Sequence, residues 1–237
     1  MGYKKQDFDR FVTSIRGHYH GDVFLLITES APNDIKELLA QHNIQFVTTT
    51  EKGGNRFSDA WLRINQVRWD FYQKTCQESS YDLCMAIDSR DSLFQDDPFQ
   101  QLMGTPNGNL LHLYQHSMMM NDWHLKMAFS CKGTNEAMKG KPIINAGGFI
   151  ATPAVVPQLA RMAQDYGKKC DDQVALNLGV CSNILNNTKV TSHSQGEGSI
   201  NNIGWGGKYR LDSRRRYLNH NCFPSPAVHQ FDAVGAS

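Results

Sequence analysis

No charge of one sign dominates this 237-residue chain: 24 Lys and Arg stand against 23 Asp and Glu, a formal net charge of +1. Without a domain-wide basic excess to neutralise phosphates, a general polyanion binder is excluded and no nucleic-acid partner is expected. Long apolar runs are missing too. The longest is Val23-Phe24-Leu25-Leu26-Ile27, far short of the roughly 20 residues that cross a bilayer, so no membrane span is expected. Met1 to Gln6 lacks the apolar core of a signal peptide. Six cysteines (Cys76, Cys84, Cys131, Cys170, Cys181, Cys222) include no C-x-x-C pair and no zinc-like spacing. Buried free thiols are expected, with one or two disulfides as the alternative in an oxidising compartment. There is no internal repeat and no low-complexity stretch. What remains is a soluble globular domain of the cytoplasm or the secretory-pathway lumen, and the sequon Asn186-Asn187-Thr188 does not decide between them.

The chain has 40% hydrophobic and 20% charged residues, the balance of a folded domain rather than of a disordered one. Phe8, Phe11, Val12 and Ile15 recur at spacings of three and four, which predicts an amphipathic helix from about Gln6 to Ile15. Asp22 to Thr28 reads as a strand buried on both faces. A helix opens at Pro32-Asn33-Asp34 and runs through Ala40, a short strand follows from Ile44 to Thr49, and a long helix extends from Ser58 to Thr75 with Trp61, Ile64, Val67 and Phe71 on one face. Tyr81 to Ile87 is the next buried strand. This alternation predicts an α/β fold with a mostly parallel central sheet flanked by helices. Further along, Leu110 to Tyr114 reads as a strand, Pro142 to Thr152 as a turn-rich strand, and Ala154–Tyr166 and Asp172–Leu178 as helices. After Ser192, Gly, Asn and Ser dominate and loops with short strands are expected. No linker divides the chain, so residues 1–237 read as one domain.

Four segments carry the chemistry. Asp88-Ser89-Arg90-Asp91 follows a buried strand directly, and open α/β sheets bind ligands outside the carboxyl ends of their strands. Two carboxylates there are hard oxygen ligands suited to Mg²⁺ or Mn²⁺. Asp171-Asp172-Gln173 puts acid into the first turn of a helix. Asn145-Ala146-Gly147-Gly148 provides glycines that allow a close backbone approach. Val228-His229-Gln230-Phe231-Asp232 supplies a late histidine, with His193 as the runner-up. The run Arg214-Arg215-Arg216 reads as a solvated turn, its alternative being a clamp on a diphosphate.

Taken in order, these pieces resemble nucleotide-sugar glycosyltransferases of the GT-A fold, in the branch whose metal motif reads D-x-R-D followed by F-Q and D-P-F. The matching residues are Arg56-Phe57, Tyr81-Asp82, Asp88-Ser89-Arg90-Asp91, Phe94-Gln95, Asp97-Pro98-Phe99, Trp123, Asn145-Ala146-Gly147, Asp172-Gln173 with Leu176-Asn177, and His229-Gln230-Phe231-Asp232. The resemblance implies a GT-A-like, Rossmann-like domain that lacks its first strand, because the chain enters a helix where that fold opens with a strand. It also implies a metal-dependent glycosyltransferase moving a sugar from a nucleoside-diphosphate donor, a UDP-sugar, to a hydroxyl acceptor on a glycan, with Mn²⁺ or Mg²⁺ as cofactor. Asp88, Asp91 and His229 would hold the metal, with Asp88 also reaching the donor ribose. Arg56, Arg63 or Arg68 would face the donor, Asn145, Ala146, Gly147 and Gln173 would line its sugar, Asp172 would stand near the reacting carbon, and Trp123 would stack on the acceptor. Two other readings stay open. A glycosyltransferase-like protein that binds nucleotide or sugar without turnover fits the missing strand, and a metal-dependent phosphoesterase fits the Asp/His set but not the Asn-Ala-Gly and Asp-Gln segments.

Overall fold

The computed structural model describes residues 5–51, 58–77, 80–104, 108–120, 138–167, 171–182, 184–204 and 209–231. Helix α1 (Lys5–His18) buries the stripe Phe8, Phe11, Val12 and Ile15, since three- and four-residue spacings stack on one face. Near its end the Arg16 guanidinium donates to the carbonyls of Tyr19, Gly21, His42 and Asn43. That one side chain satisfies acceptors which the chain reversals would leave unpaired. Strands β1 (Phe24–Thr28) and β2 (Gln45–Thr49) pair in parallel across α2 (Asn33–Gln41), the strand–helix–strand unit that the alternation predicts.

Helix α3 (Asp59–Gln77) follows. Its core contact is Trp69, 1% exposed, whose ring stacks on Phe149 at 5.6 Å. The expected stripe is rotated away: Ile64, Val67 and Phe71 are only half-buried, and Ile64 and Phe71 line a cavity instead. Then come β3 (Cys84–Ile87), β4 (Ser92–Phe94), a 3₁₀ turn (Gln100–Leu102), β5 (Leu110–Met119), β6 (Pro142–Ala151), α4 (Val156–Gly167) and α5 (Asp172–Cys181). Short strands end the chain: β7 (Lys189–His193), β8 (Ile200–Asn202), β9 (Arg210–Leu211), β10 (Tyr217–Leu218) and β11 (Ala227–His229).

The sheets correct the expectation of a mostly parallel centre. The largest has the order β3-β6-β5-β7. In it β6 runs antiparallel to both β3 and β5, and β5–β7 is the parallel pair. Helix–strand alternation holds from α1 to β3 and then fails. The start of β6, Pro142, lies opposite Met119, the last residue of β5, so the chain doubles back and the pairing must be antiparallel. The Asn145–Gly148 segment lies inside an unbroken strand rather than in a turn. The other sheets are β1-β2, β4-β11-β8 and β10-β9. Cys76, near the end of α3, and Cys84, the first residue of β3, form a disulfide, where free thiols were expected. Cys181 and Cys222 are free thiols, and Cys131 and Cys170 lie outside the described residues. No described helix is long and apolar enough to cross a membrane.

Helix α5 is docked on β6 by one amide. Asn177 Oδ1 accepts from Ile144 N at 2.8 Å, and Asn177 Nδ2 donates to Ile144 O at 2.8 Å and to Gln173 O at 2.7 Å. Replacing it by an apolar isostere strands buried backbone groups. Asn177→Leu should therefore cost about 2–4 kcal/mol, read as a lower urea midpoint at unchanged slope.

At the other sheet edge His112 Nδ1 and His193 Nε2 lie 2.9 Å apart, and the His193 ring stacks on Tyr114. Burial lowers the pKa of both histidines. His193 and Lys189 add to the effect at His112, and Glu197 opposes it at His193. The fold thus holds both rings neutral, while the unfolded chain takes up protons near the ordinary value of about 6.5. Stability from this pair is present above that pH and is lost as pH falls below it. Melting temperature should drop from pH 7 to pH 5, and the drop should be shallower in His193→Gln.

Candidate functional site

Strand β3 delivers Asp88 at its carboxyl end, where Asp88 N donates to Gly147 O of β6 at 2.8 Å. Three residues on is Asp91, and β4 begins at once. It pairs antiparallel with β11, with Ser92 opposite His229, while β11 pairs in parallel with β8, with His229 opposite Asn202. This register brings the late histidine to the carboxylates. The turn is held by the segment that follows β11, because Asp91 O accepts from Gln230 N at 2.6 Å and from Phe231 N at 3.3 Å. Gln95 has a related duty. It accepts from Tyr217 N at 2.7 Å and donates to the Tyr217 and Ser225 carbonyls, so the Phe94-Gln95 motif clamps the C-terminal segments against β4.

His229 is 1% exposed, and its surroundings fix its tautomer. Asn202 Nδ2 donates to the Tyr114 and Gln115 carbonyls, which turns Asn202 Oδ1 toward His229 Nδ1 at 2.8 Å. The neutral ring therefore carries its proton on Nδ1 and keeps a lone pair on Nε2. That buried Nε2 has no hydrogen-bond partner among the described residues. It lies 3.5 Å from Asp91 Oδ1 and 3.8 Å from Asp88 Oδ2. One ligand atom from each of the three residues falls within 4.8 Å of the others. An unpartnered imidazole lone pair between two carboxylates suits a divalent cation.

Electrostatics separate the two acids. Burial pushes the Asp88 carboxyl up, opposed by Arg68 and His229 and reinforced by Asp91 and Asp172. Asp88 nevertheless keeps 40% of its side-chain surface open to the cavity. At Asp91 burial also acts upward, but the His229 ring in its protonated form, donating from Nε2, and Arg90 outweigh it and hold this carboxyl below its ordinary value. Gly147 makes the close approach possible. A Cβ there would sit 2.5 Å from His229 Cε1 and 2.7 Å from Asp88 Oδ2.

Beside this trio α3 contributes Arg68, whose guanidinium bonds Asp88 Oδ1 at 2.9 Å and, through its other nitrogen, Asp172 Oδ2. Trp69 Nε1 donates to the same Asp172 oxygen at 3.0 Å. Burial works against the Arg68 charge, but the pull of Asp172 and Asp88 prevails and the guanidinium stays positive. Asp172 begins α5, whose N-cap Asp171 accepts from Gln173 N at 2.7 Å.

Of the sequence-predicted residues, Asp88, Asp91 and His229 come together with Gly147, and Arg68 and Asp172 stand next to them. Asn145 is buried and turned inward. Its Oδ1 accepts from Gly147 N at 2.6 Å, and its Nδ2 faces Asn202 Oδ1 and His229 Nδ1. Ala146 is buried, and its amide donates to Gln173 Oε1 at 3.4 Å. Arg63 pairs with Glu51 at 3.2 Å on an exposed face. His193 bonds His112, and the Arg214–Arg216 run forms a turn around Asp212. Arg56 and Trp123 lie outside the described residues. Two contributors went unread in the sequence. Trp69 carried a signal, as a tryptophan next to an arginine on an amphipathic helix, whereas Asn202 carried none within its Gly-, Asn- and Ser-rich tract.

Mn²⁺ titration tests the arrangement. Gly147→Ala should weaken Mn²⁺ binding by roughly tenfold or more, the scale on which displaced ligands act, while leaving the melting temperature within a few degrees. His229→Ala should do at least as much. Unchanged Mn²⁺ affinity in both variants would remove the ion from this trio. Comparison of the chain with protein-family models and with curated proteins finds no match in either.

Proposed function

We propose that this chain is a metal-dependent glycosyltransferase that moves a sugar from a nucleoside-diphosphate donor, a UDP-sugar, to a hydroxyl acceptor on a glycan. The observation that carries the reading is the buried, unpartnered Nε2 of His229 facing Asp88 and Asp91 beside a cavity of about 1010 Å³ that reaches Arg68. A mixed carboxylate and imidazole set favours Mn²⁺ over Mg²⁺, which prefers oxygen alone. When bound, such an ion supplies Lewis-acid charge for a departing diphosphate. The chain's own residues do the rest. Arg68 adds a permanent positive charge next to Asp88, suited to the same phosphates. Asp172, oriented by Arg68 and Trp69, offers the negative charge that an electron-poor sugar carbon needs. The ordered set of motifs from Arg56 to Asp232 supports the same class.

One observation favours a second reading, a binding protein of the same architecture without turnover. Asp172 is 5% exposed and already bonded by Arg68 and Trp69, so its carboxylate must be released from some of these contacts to meet a substrate. Two measurements separate the readings. A Mn²⁺-dependent thermal shift with UDP is expected under both, and release of UDP from a UDP-sugar with acceptor present is expected under the first alone.

Asp172→Asn keeps the shape and removes the charge. Turnover should fall on the order of a hundredfold or more, as when one electrostatic stabiliser of a transition state is lost. UDP affinity should stay within a few-fold, because Asp172 lies outside the metal trio. Turnover close to that of the parent would move the role to another residue, Asp171 first.

A further inference from the structure

One sequence motif has no part in the site described above. Asn186-Asn187-Thr188 is the single Asn-x-Ser/Thr triplet of the chain, with no proline at its centre or directly after it. This is the pattern at which asparagine accepts a glycan. As bare sequence the triplet decides nothing, but the fold bears on it in three ways.

The first is placement. Helix α5 ends at Cys181 and β7 begins at Lys189. Between them Leu185 is buried in the main core cluster, while Ile184, Asn186 and Asn187 are exposed. Leu185 O accepts from Thr188 N at 3.4 Å, and Asn187 has a φ of 62°, a tight turn in which asparagine tolerates the left-handed region. The buried leucine anchors the turn and leaves Asn186 at its surface. Just beyond, β7 is the terminal strand of the β3-β6-β5-β7 sheet. Lys189 N donates to Asn109 O, so Lys189, Thr191 and His193 bond β5, and the N–H and C=O of Val190 and Ser192 face outward. Among the described residues no strand pairs with that edge. A bulky group on Asn186 therefore meets solvent and an open sheet edge.

The second is the third residue of the triplet. Thr188 Oγ1 is buried and has no hydrogen-bond partner among the described residues. A buried hydroxyl without a partner costs stability, and valine would fill the same space without that cost. The folded chain has no use for this hydroxyl. Glycan attachment does, because it takes Ser or Thr at the third position and not Val.

The third is the compartment. N-linked glycans are added in the secretory-pathway lumen, which is oxidising. Cys76 and Cys84 form a disulfide with their Cα atoms 6.1 Å apart, within the ordinary range. Disulfides persist in that compartment and are rare where thiols are kept reduced. Triplet and disulfide lie on different elements and call for the same surroundings.

We propose that Asn186 is an N-glycosylation site whose glycan lies over the free edge of β7 and the exposed Ile184 and Val190. The Asn186 amide nitrogen attacks the anomeric carbon of an oligosaccharide carried on a lipid diphosphate. The bond from nitrogen to that carbon forms and the bond from carbon to phosphate oxygen breaks. The lipid diphosphate leaves with the electron pair, and one amide proton is released. A polar glycan here does what charged side chains or proline do on other sheet edges, keeping a second sheet from pairing. The inference uses none of the metal trio and stands whether or not the chain turns over a sugar.

The test begins with the protein isolated from its own cells. An N-glycan amidase in heavy-oxygen water converts a glycosylated asparagine to aspartate carrying one heavy oxygen, which mass spectrometry of the peptides locates. Conversion at Asn186 is expected, together with a disulfide-linked Cys76–Cys84 peptide. An unmodified Asn186 overturns the proposal, as do free thiols at both cysteines. The full chain and its variants are then passed through the secretory pathway of a cultured eukaryotic cell behind a cleavable leader. The parent and Thr188→Ser should lose mass on amidase treatment, whereas Asn186→Gln and Thr188→Val should lose none. Thr188→Val should also melt at or above the temperature of Asn186→Gln. A mass loss that survives in Thr188→Val overturns the site, and a lower melting temperature would give the hydroxyl a structural duty and remove that argument. By sedimentation, Asn186→Gln should self-associate at concentrations where the parent is monomeric. Equal behaviour of the two would overturn the shielding of β7.

Discussion

The Arg68 guanidinium is the point on which the arrangement turns. It sits between Asp88, at the end of β3, and Asp172, at the start of α5, and is itself carried by α3. The consecutive elements α3 and β3 and the distant α5 thereby converge on one buried cation. Such a charge is expensive to desolvate, and here two carboxylates offset it, so that losing one still leaves it paired. Here the two acids and the Trp69 indole complete the set. The trio of Asp88, Asp91 and His229 depends on it, because Arg68 fixes one oxygen of Asp88 and leaves the other toward His229. Packing depends on it too, since Trp69 stacks on Phe149 of β6 while its indole N–H bonds Asp172.

Much of the amino-terminal half is legible from residue spacing. The α1 stripe and the β1-α2-β2 alternation emerge from period and cap alone, because those elements bury faces that the pattern marks. The stripe on α3 misleads for an instructive reason. Ile64 and Phe71 are apolar because they line the unfilled side of the helix, while the core contact falls to Trp69. Beyond β3 the reading fails on direction. Alternation with helices speaks for parallel strands, but β5 and β6 pair with each other by reversal, and reversal leaves no periodic trace. The glycine pair was legible in one respect: the turn expected around it is replaced by strand, but the close approach that glycine allows is present, because His229 and Asp88 occupy the place of the missing Gly147 Cβ.

The site was legible to the extent that its members are chemically conspicuous. Asp88 and Asp91 follow a strand, and His229 follows a short apolar run, so each could be read at a distance. Their supports could not. Asn202 sets the His229 tautomer only because Tyr114 and Gln115 orient its amide, a chain of four residues joined by three-dimensional pairing. Asn145 was expected to line a sugar and instead faces His229 and the Gly147 amide.

The pairing of β4 with β11 has a consequence in time. His229 lies 138 positions (229 minus 91) after Asp91. At about 5–20 residues per second of synthesis, the carboxylates emerge roughly 7–28 s before the imidazole that completes the trio. Throughout that interval β4 has no partner in β11, and the Asp91 carbonyl waits for the amides of Gln230 and Phe231. The nascent chain can therefore carry two bare acids but not a finished cation pocket. The pocket is complete only after β11 has been made, the strand whose pairing with β4 closes the site.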